Sequence, residues 1–301
     1  MSRLPKLGAL MSVVSAMLLA FMLPPAPTWA ADNASRFAVS GKAKVHYLDF
    51  GTGDRAVMFV HGWACDSQFW KMQYPAFEKR TRLLAVDLPG HGKSDAPDIA
   101  YTARMFADGV EAVARHAGVT RMVLVVQGMA LGVGLELIRE TPALIAGIVV
   151  IDGSYFPDED SDPETHDMMK DWHTAFVEAL KGPGREGAIT EFLETLFDPM
   201  TPEPLRDWIS ARIKATNPRV ARSAMAHFID TRTWMENPFD GPALAIYAIS
   251  PDLPPNNAEV LSGWFADMRY VEWADVSHFV MLEKPKLVNG LIDSFLDDLK
   301  W

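Results

Sequence analysis

Five short apolar runs limit what this chain can fold into: Ala56–Val60, Arg82–Val86, Val123–Val126, Ala146–Ile151 and Ala243–Ala248. Each is too short for a helix that buries a face, and each runs into polar or turn-forming residues, such as His61-Gly62, Asp87-Leu88-Pro89-Gly90 and Asp152-Gly153. Strands covered on both faces read this way. Between them lie segments of helical character: Ser67–Lys79, Tyr101–His116, with Met105, Val110 and Val113 at helical spacing, and Ala130–Ile138. Strands alternating with helices predict an α/β fold, a mostly parallel central sheet with helices on both faces. Arg36–Ser40 and Lys44–Phe50 alternate ahead of a turn at Gly51-Thr52-Gly53-Asp54 and read as two further strands.

After Asp152 the alternation stops for about 85 residues. Thr165–Lys181, Glu186–Phe197, Pro202–Ala215 and Arg219–Asp230 all read as helices. The rhythm then resumes with strand Ala243–Ala248, a helix near Ala258–Phe265, strand Arg269–Trp273 and a closing helix Pro285–Leu299. The expected organisation is a core of residues 31–152 and 241–301, with residues 153–240 as a helical cap. A cap inserted there stands over the strand ends where an open α/β sheet binds ligands.

Residues 1–30 read as a signal peptide. Arg3 and Lys6 precede an uncharged run from Leu7 to Leu23, and Thr28-Trp29-Ala30 supplies small residues for a cut after Ala30. The run is shorter than the roughly 20 residues of a bilayer span. The expected location is therefore secreted or periplasmic, with no stable membrane association after cleavage. Loss of this segment removes two basic residues from a chain of formal charge −11, leaving −13. So acidic a surface disfavours nucleic acid and anionic membranes. The one cysteine, Cys65, has no partner for an internal disulfide.

Val123-Leu124-Val125-Val126-Gln127-Gly128-Met129-Ala130-Leu131-Gly132 joins an apolar strand to a small-residue helix through a sharp turn. Laid on the pattern G-x-S-x-G, it puts Val126, Gly128 and Ala130 where first glycine, serine and second glycine would stand. Three more segments belong with it: Phe59-Val60-His61-Gly62-Trp63, Asp87-Leu88-Pro89-Gly90-His91-Gly92-Lys93-Ser94, and Ser277-His278-Phe279 ahead of Leu282-Glu283-Lys284-Pro285. Together they resemble the α/β-hydrolase superfamily, in its capped esterase, lactonase and haloperoxidase-like branch, over nearly all of the mature chain.

The resemblance implies His278 as the base and the backbone N–H groups of Trp63 and Met129 as the oxyanion hole. Two carboxylates compete for the acid of the triad: Asp152, at the end of Ala146–Ile151, and Asp252, in the loop after Ala243–Ala248. The nucleophile position holds Gly128, whose side chain is absent. Glycine suits the strained backbone of such a turn, but removing a triad nucleophile costs on the order of 10⁶ in turnover. A water in the space left by the missing side chain, activated by His278, is one substitute. Ser154 and Cys65 are others, though neither sits on the turn.

These residues predict a carboxylic-ester or lactone hydrolase of weak or altered activity. A non-hydrolytic small-molecule binding protein and a His-based, lyase-like enzyme stand as alternatives. Trp63, Ser154, Trp172, Phe176 and Phe279 are expected to line a pocket for a small apolar or acyl-type molecule. No cofactor and no metal are expected. Asp158–Asp162 imitates the start of a calcium loop, but Pro163 and Met169 stand where its glycine and glutamate belong. His166 and His173 lack a third ligand.

Overall fold

All seven residues of Ile145–Ile151 are buried, as are Ala56–Val60 and Leu83–Val86. Only the middle of a sheet covered on both faces accommodates such strands. The computed structural model describes residues 34–156, 163–230, 237–250, 254 and 256–301. The expected signal peptide, the acidic run Asp158–Asp162 and Asp252 lie outside the described residues.

Eight strands form one sheet: β1 (Ser35–Ser40), β2 (Ala43–Phe50), β3 (Arg55–Val60), β4 (Leu83–Val86), β5 (Arg121–Gln127), β6 (Ile145–Ile151), β7 (Phe239–Ala248) and β8 (Phe265–Trp273). Their order is β1-β2-β4-β3-β5-β6-β7-β8. The β1–β2 and β2–β4 pairs are antiparallel, and all pairs from β4 across to β8 are parallel. The chain steps from β3 to β4 on one side and then returns to place β5 on the other. The crevice at such a reversal is where open α/β sheets bind ligands.

The expected helix over Ser67–Lys79 is broken in two. A 3₁₀ turn, Ser67–Trp70, is capped by Asp66, whose carboxylate accepts from the Gln68 N–H at 2.8 Å. A single helical turn, α1 (Tyr74–Phe77), then starts with Pro75 in its first positions. Proline can open a helix but not stand inside one. Apolar periodicity that reads through Pro75 therefore overstates the length.

Helices α2 (Ala103–His116) and α3 (Ala130–Glu140) cover the sheet, and Thr102 caps α2 by accepting from the Met105 N–H at 3.2 Å. Between β6 and β7 come α4 (Pro163–Ala179), α5 (Arg185–Leu196), α6 (Glu203–Ala215) and α7 (Pro218–Ala226). Then follow α8 (Asn257–Ser262), α9 (Val280–Glu283) and α10 (Pro285–Asp298). The inserted helices are tied to loops at the carboxyl ends of the strands. Trp63 Nε1 donates to the Ala221 carbonyl at 2.8 Å, Thr216 Oγ1 to Ala64 at 2.7 Å, and the His278 N–H to Leu196 at 3.1 Å. No helix among the described residues is long and apolar enough to cross a membrane.

Candidate active site

Four loops, following β3, β5, β6 and β8, meet at one end of the sheet. Gly128 forms the tip of the loop after β5, with φ +55°. Its N–H donates to the Ile151 carbonyl at 3.2 Å, and its carbonyl accepts from the Ser154 N–H at 3.0 Å. The turn is thus clamped between two residues at the end of β6. Helix α3 starts directly behind it, so its N-terminal N–H groups and the positive end of its dipole face this crevice.

Asp152 ends β6 with φ +44°, a conformation aspartate tolerates better than most residues. Its N–H still continues the sheet by donating to Ile246 at 2.8 Å. The twist presents the carboxylate sideways: Oδ1 accepts from the Ala248 N–H at 2.8 Å, and Oδ2 lies 2.6 Å from His278 Nδ1. Because Oδ2 can only accept, the imidazole carries its proton on Nδ1, and Nε2 is left bearing the lone pair of a base. Strained backbone of this kind gathers at functional sites.

Nε2 faces the tip. An ideal Cβ at Gly128 would lie 2.9 Å from His278 Nε2, closer than real Cβ contacts come, and 3.2 Å from Cε1. The imidazole therefore stands over the ground where a side chain at 128 would begin.

The surroundings of Nε2 hold the residue that the sequence reading missed. Gln127, last in β5 and 1% exposed, places its carboxamide nitrogen 2.6 Å from His278 Nε2. Its only sequence signal was a polar residue closing an otherwise apolar strand.

The two expected oxyanion donors flank the tip. The Trp63 and Met129 N–H groups make no hydrogen bond among the described residues. The loop that aims Trp63 is fixed by His61, which is fully buried, contacts the Gly62 carbonyl through Nδ1 at 2.9 Å and accepts from the Leu88 N–H through Nε2 at 3.0 Å. Burial pushes its pKa down, so it stays neutral and can serve as donor on one side and acceptor on the other. Ala64, at φ +54°, completes the turn.

The residues expected to line a pocket separate into three groups. Trp63 is buried, with Phe176 and Phe192 of the inserted helices against its ring at 5.7 Å. Trp172 stacks on Phe176 at 5.4 Å and is 45% exposed, giving this aromatic cluster a solvent edge. Ser154 borders a pocket with Tyr101, Phe106, Met129, His227 and Phe228, beside the start of α3. Phe279 is a core residue: 1% exposed, it packs between Phe69 and Phe197 at 5.9 Å and supports the edge of His278 from behind. Cys65 is sealed in, and burial pushes its thiol well above the usual range, which makes it a poor nucleophile. His173 Nε2 contacts the Met225 carbonyl at 2.7 Å, and no cluster able to hold a metal occurs among the described residues.

Residues 57–291 match the model of the alpha/beta hydrolase family, and the chain belongs to that family. Among curated proteins it is 34% identical to the pimeloyl-[acyl-carrier protein] methyl ester esterase of Sodalis glossinidius, over 35% of this chain and 38% of that protein. The chain thus aligns with well under half the length of the curated relatives it matches. Among solved structures it is similar to an esterase from Exiguobacterium antarcticum, with TM-score 0.78 and 22% identity over 87% of this chain and 98% of that one. It is also similar to the enol-lactonase of Burkholderia xenovorans, with TM-score 0.75 and 20% identity over 87% of this chain and 100% of that one. At such identities the likeness is one of fold.

Proposed function

We propose that this protein is an exported enzyme of the carboxylic-ester or lactone hydrolase type that works without a covalent intermediate. The observation carrying this reading is the joint arrangement at the tip: a base held by Asp152, two N–H groups unengaged among the described residues, and no side chain at 128 to attack. The substrate carbonyl oxygen accepts from Trp63 and Met129. A water entering from the cleft gives its proton to His278 Nε2 as its oxygen bonds to the carbonyl carbon, and the carbonyl electron pair moves onto oxygen. Collapse of that intermediate expels the alcohol, which takes the proton back from the imidazolium. Asp152 stabilises the charged ring throughout. Without a nucleophile, the oxyanion hole and binding supply about 10³–10⁴ over water, and His278 as general base adds to that. The apolar surroundings of Trp63, Phe176 and Met129 suit a small acyl group, and the N-terminal segment supports export.

The test is hydrolysis of p-nitrophenyl butyrate and of a short lactone by the parent and by His278→Ala. Slow turnover, linear from the first cycle and reduced about 10²-fold or more in the variant, supports the reading. A burst of one equivalent, or turnover indifferent to His278, contradicts it. A second reading draws on Gln127, whose amide already engages Nε2: a binding protein for the same class of molecule. Saturable binding of butyrate or a lactone without any turnover would favour it.

A further inference from the structure

Serine hydrolases give the imidazole Nε2 a hydroxyl partner. Here that partner is missing, yet Nε2 is engaged: the Gln127 carboxamide nitrogen lies 2.6 Å from it and 3.4 Å from the His278 carbonyl oxygen. The carboxamide oxygen points the other way, over Gly62, and has no hydrogen-bond partner among the described residues although it is buried. A Cβ at Gly62 would collide with this oxygen, and one at Gly128 would crowd the ring, so two glycines leave the space that the contact uses.

We infer that Gln127 is a positioning residue that takes over the hydrogen bond lost with the side chain at 128 and follows the protonation of His278. While the ring is neutral, the amide N–H donates to the Nε2 lone pair, and the second N–H points at the His278 carbonyl. The reverse orientation would set the amide oxygen against two acceptors. When the ring takes a proton, Nε2–H becomes a donor and the carboxamide must turn over to accept from it. The oxygen then gains the partner that it otherwise lacks. A primary amide can do both because it carries a donor and an acceptor on one rotatable group. The water that gives its proton to His278 must first displace this N–H. Gln127 thereby guards the lone pair when nothing is bound and steadies the charged ring during the reaction. The inference rests on His278 being the working base of the proposed site.

Three measurements test it without needing turnover, so failure of the proposed reaction would be seen separately. In the parent at pH 7.5, a scalar coupling across the hydrogen bond between a Gln127 side-chain proton and His278 Nε2 is expected; with the ring neutral, its absence overturns the inference. Ethoxycarbonylation of His278 by diethyl pyrocarbonate, mapped by mass spectrometry, reads the free lone pair. Gln127→Met is expected to speed this reaction about fivefold, by the loss of one hydrogen bond. Gln127→Glu is expected to slow it at least fivefold, because the carboxylate keeps Nε2 protonated, and both ring N–H resonances appear at that pH. A residue that only fills space would move both variants in the same direction or neither, and either outcome overturns the proposal. Melting temperatures identify a variant that does not fold, and the parent coupling still decides.

Discussion

Two histidine–aspartate pairs among the described residues have nearly identical geometry, His278–Asp152 at 2.6 Å and His46–Asp87 at 2.7 Å. They differ in everything around that bond. His46 Nε2 lies 2.8 Å from Ser35 Oγ, so Ser35, His46 and Asp87 reproduce the order of a hydrolytic triad. That ring and carboxylate are 2% and 3% exposed, against 15% and 16% for His278 and Asp152. Asp87 also accepts from the Ser67 N–H at 2.7 Å and the Lys93 N–H at 2.9 Å. It joins β2, the 3₁₀ turn and the loop after β4, and Gly92 is required there because a Cβ would strike the carboxylate. The sealed pair has a serine and no access; the open pair has access and no serine. Access and free N–H donors, more than the presence of three residue types, separate a reaction site from a structural joint.

The sharpest way to break this contrast is to delete each histidine. His278→Ala should lower ester turnover about 10²–10⁴-fold with little change in melting temperature. His46→Ala should instead cost about 3–5 kcal/mol of stability, since it leaves Asp87 buried without its partner. Equal stability losses in a denaturant series would erase the distinction.

Acid sharpens it next. Burial alone would raise the Asp87 pKa, but the hydrogen bonds from His46, Lys93 and Ser67 outweigh it and hold the carboxyl at about 2. An unfolded aspartate titrates near 3.9, so this group contributes about 2–3 kcal/mol above pH 4, lost as pH falls from about 4 to about 2. His91 is held at about 3 by burial and by its neighbour His61. It must bind a proton on unfolding, so its contribution is complete above about pH 6.5 and declines from there to about pH 3. Thermal melts across pH 2–8 should therefore weaken in two stages, and Asp87→Asn should remove the lower one.

Trp63→Phe deletes the indole donor to Ala221 and should cost about 1–2 kcal/mol, measured by urea unfolding. Gly128→Ser has the smallest expected effect on stability, about 1 kcal/mol, because it places a side chain at positive φ. It should nonetheless gain fluorophosphonate labelling at residue 128, slowly, since the His278 ring and the Gln127 amide must both give way. Rapid labelling would mean that the ring moves freely.

Much of this architecture was legible from the residues. The apolar runs that became β3 to β7 are short and cleanly bounded, and burial on both faces leaves no other reading. The four helices described between β6 and β7 follow from periodicity in the same way. Pro75 was the local signal that outranked periodicity after β3. The choice between Asp152 and Asp252 was not legible, because spacing does not reveal that Asp152 adopts a positive φ and turns its carboxylate toward the loop after β8. Phe279 shared a motif with His278 and so invited a role at the surface of the site, while its ring belongs to the core. Gln127 was invisible for a related reason: the reach of its side chain depends on the missing atoms of Gly128, a through-space relation that no pattern of spacing encodes.

Hydrolysis without a covalent intermediate is decided by the intact mass of the parent quenched during steady turnover of p-nitrophenyl butyrate and, separately, after a long incubation with a fluorophosphonate. Unmodified protein in both samples, with His278-dependent product accumulating in the first, is the predicted result. An acyl or phosphonyl adduct, whether on Ser35, Ser154 or elsewhere, would contradict it.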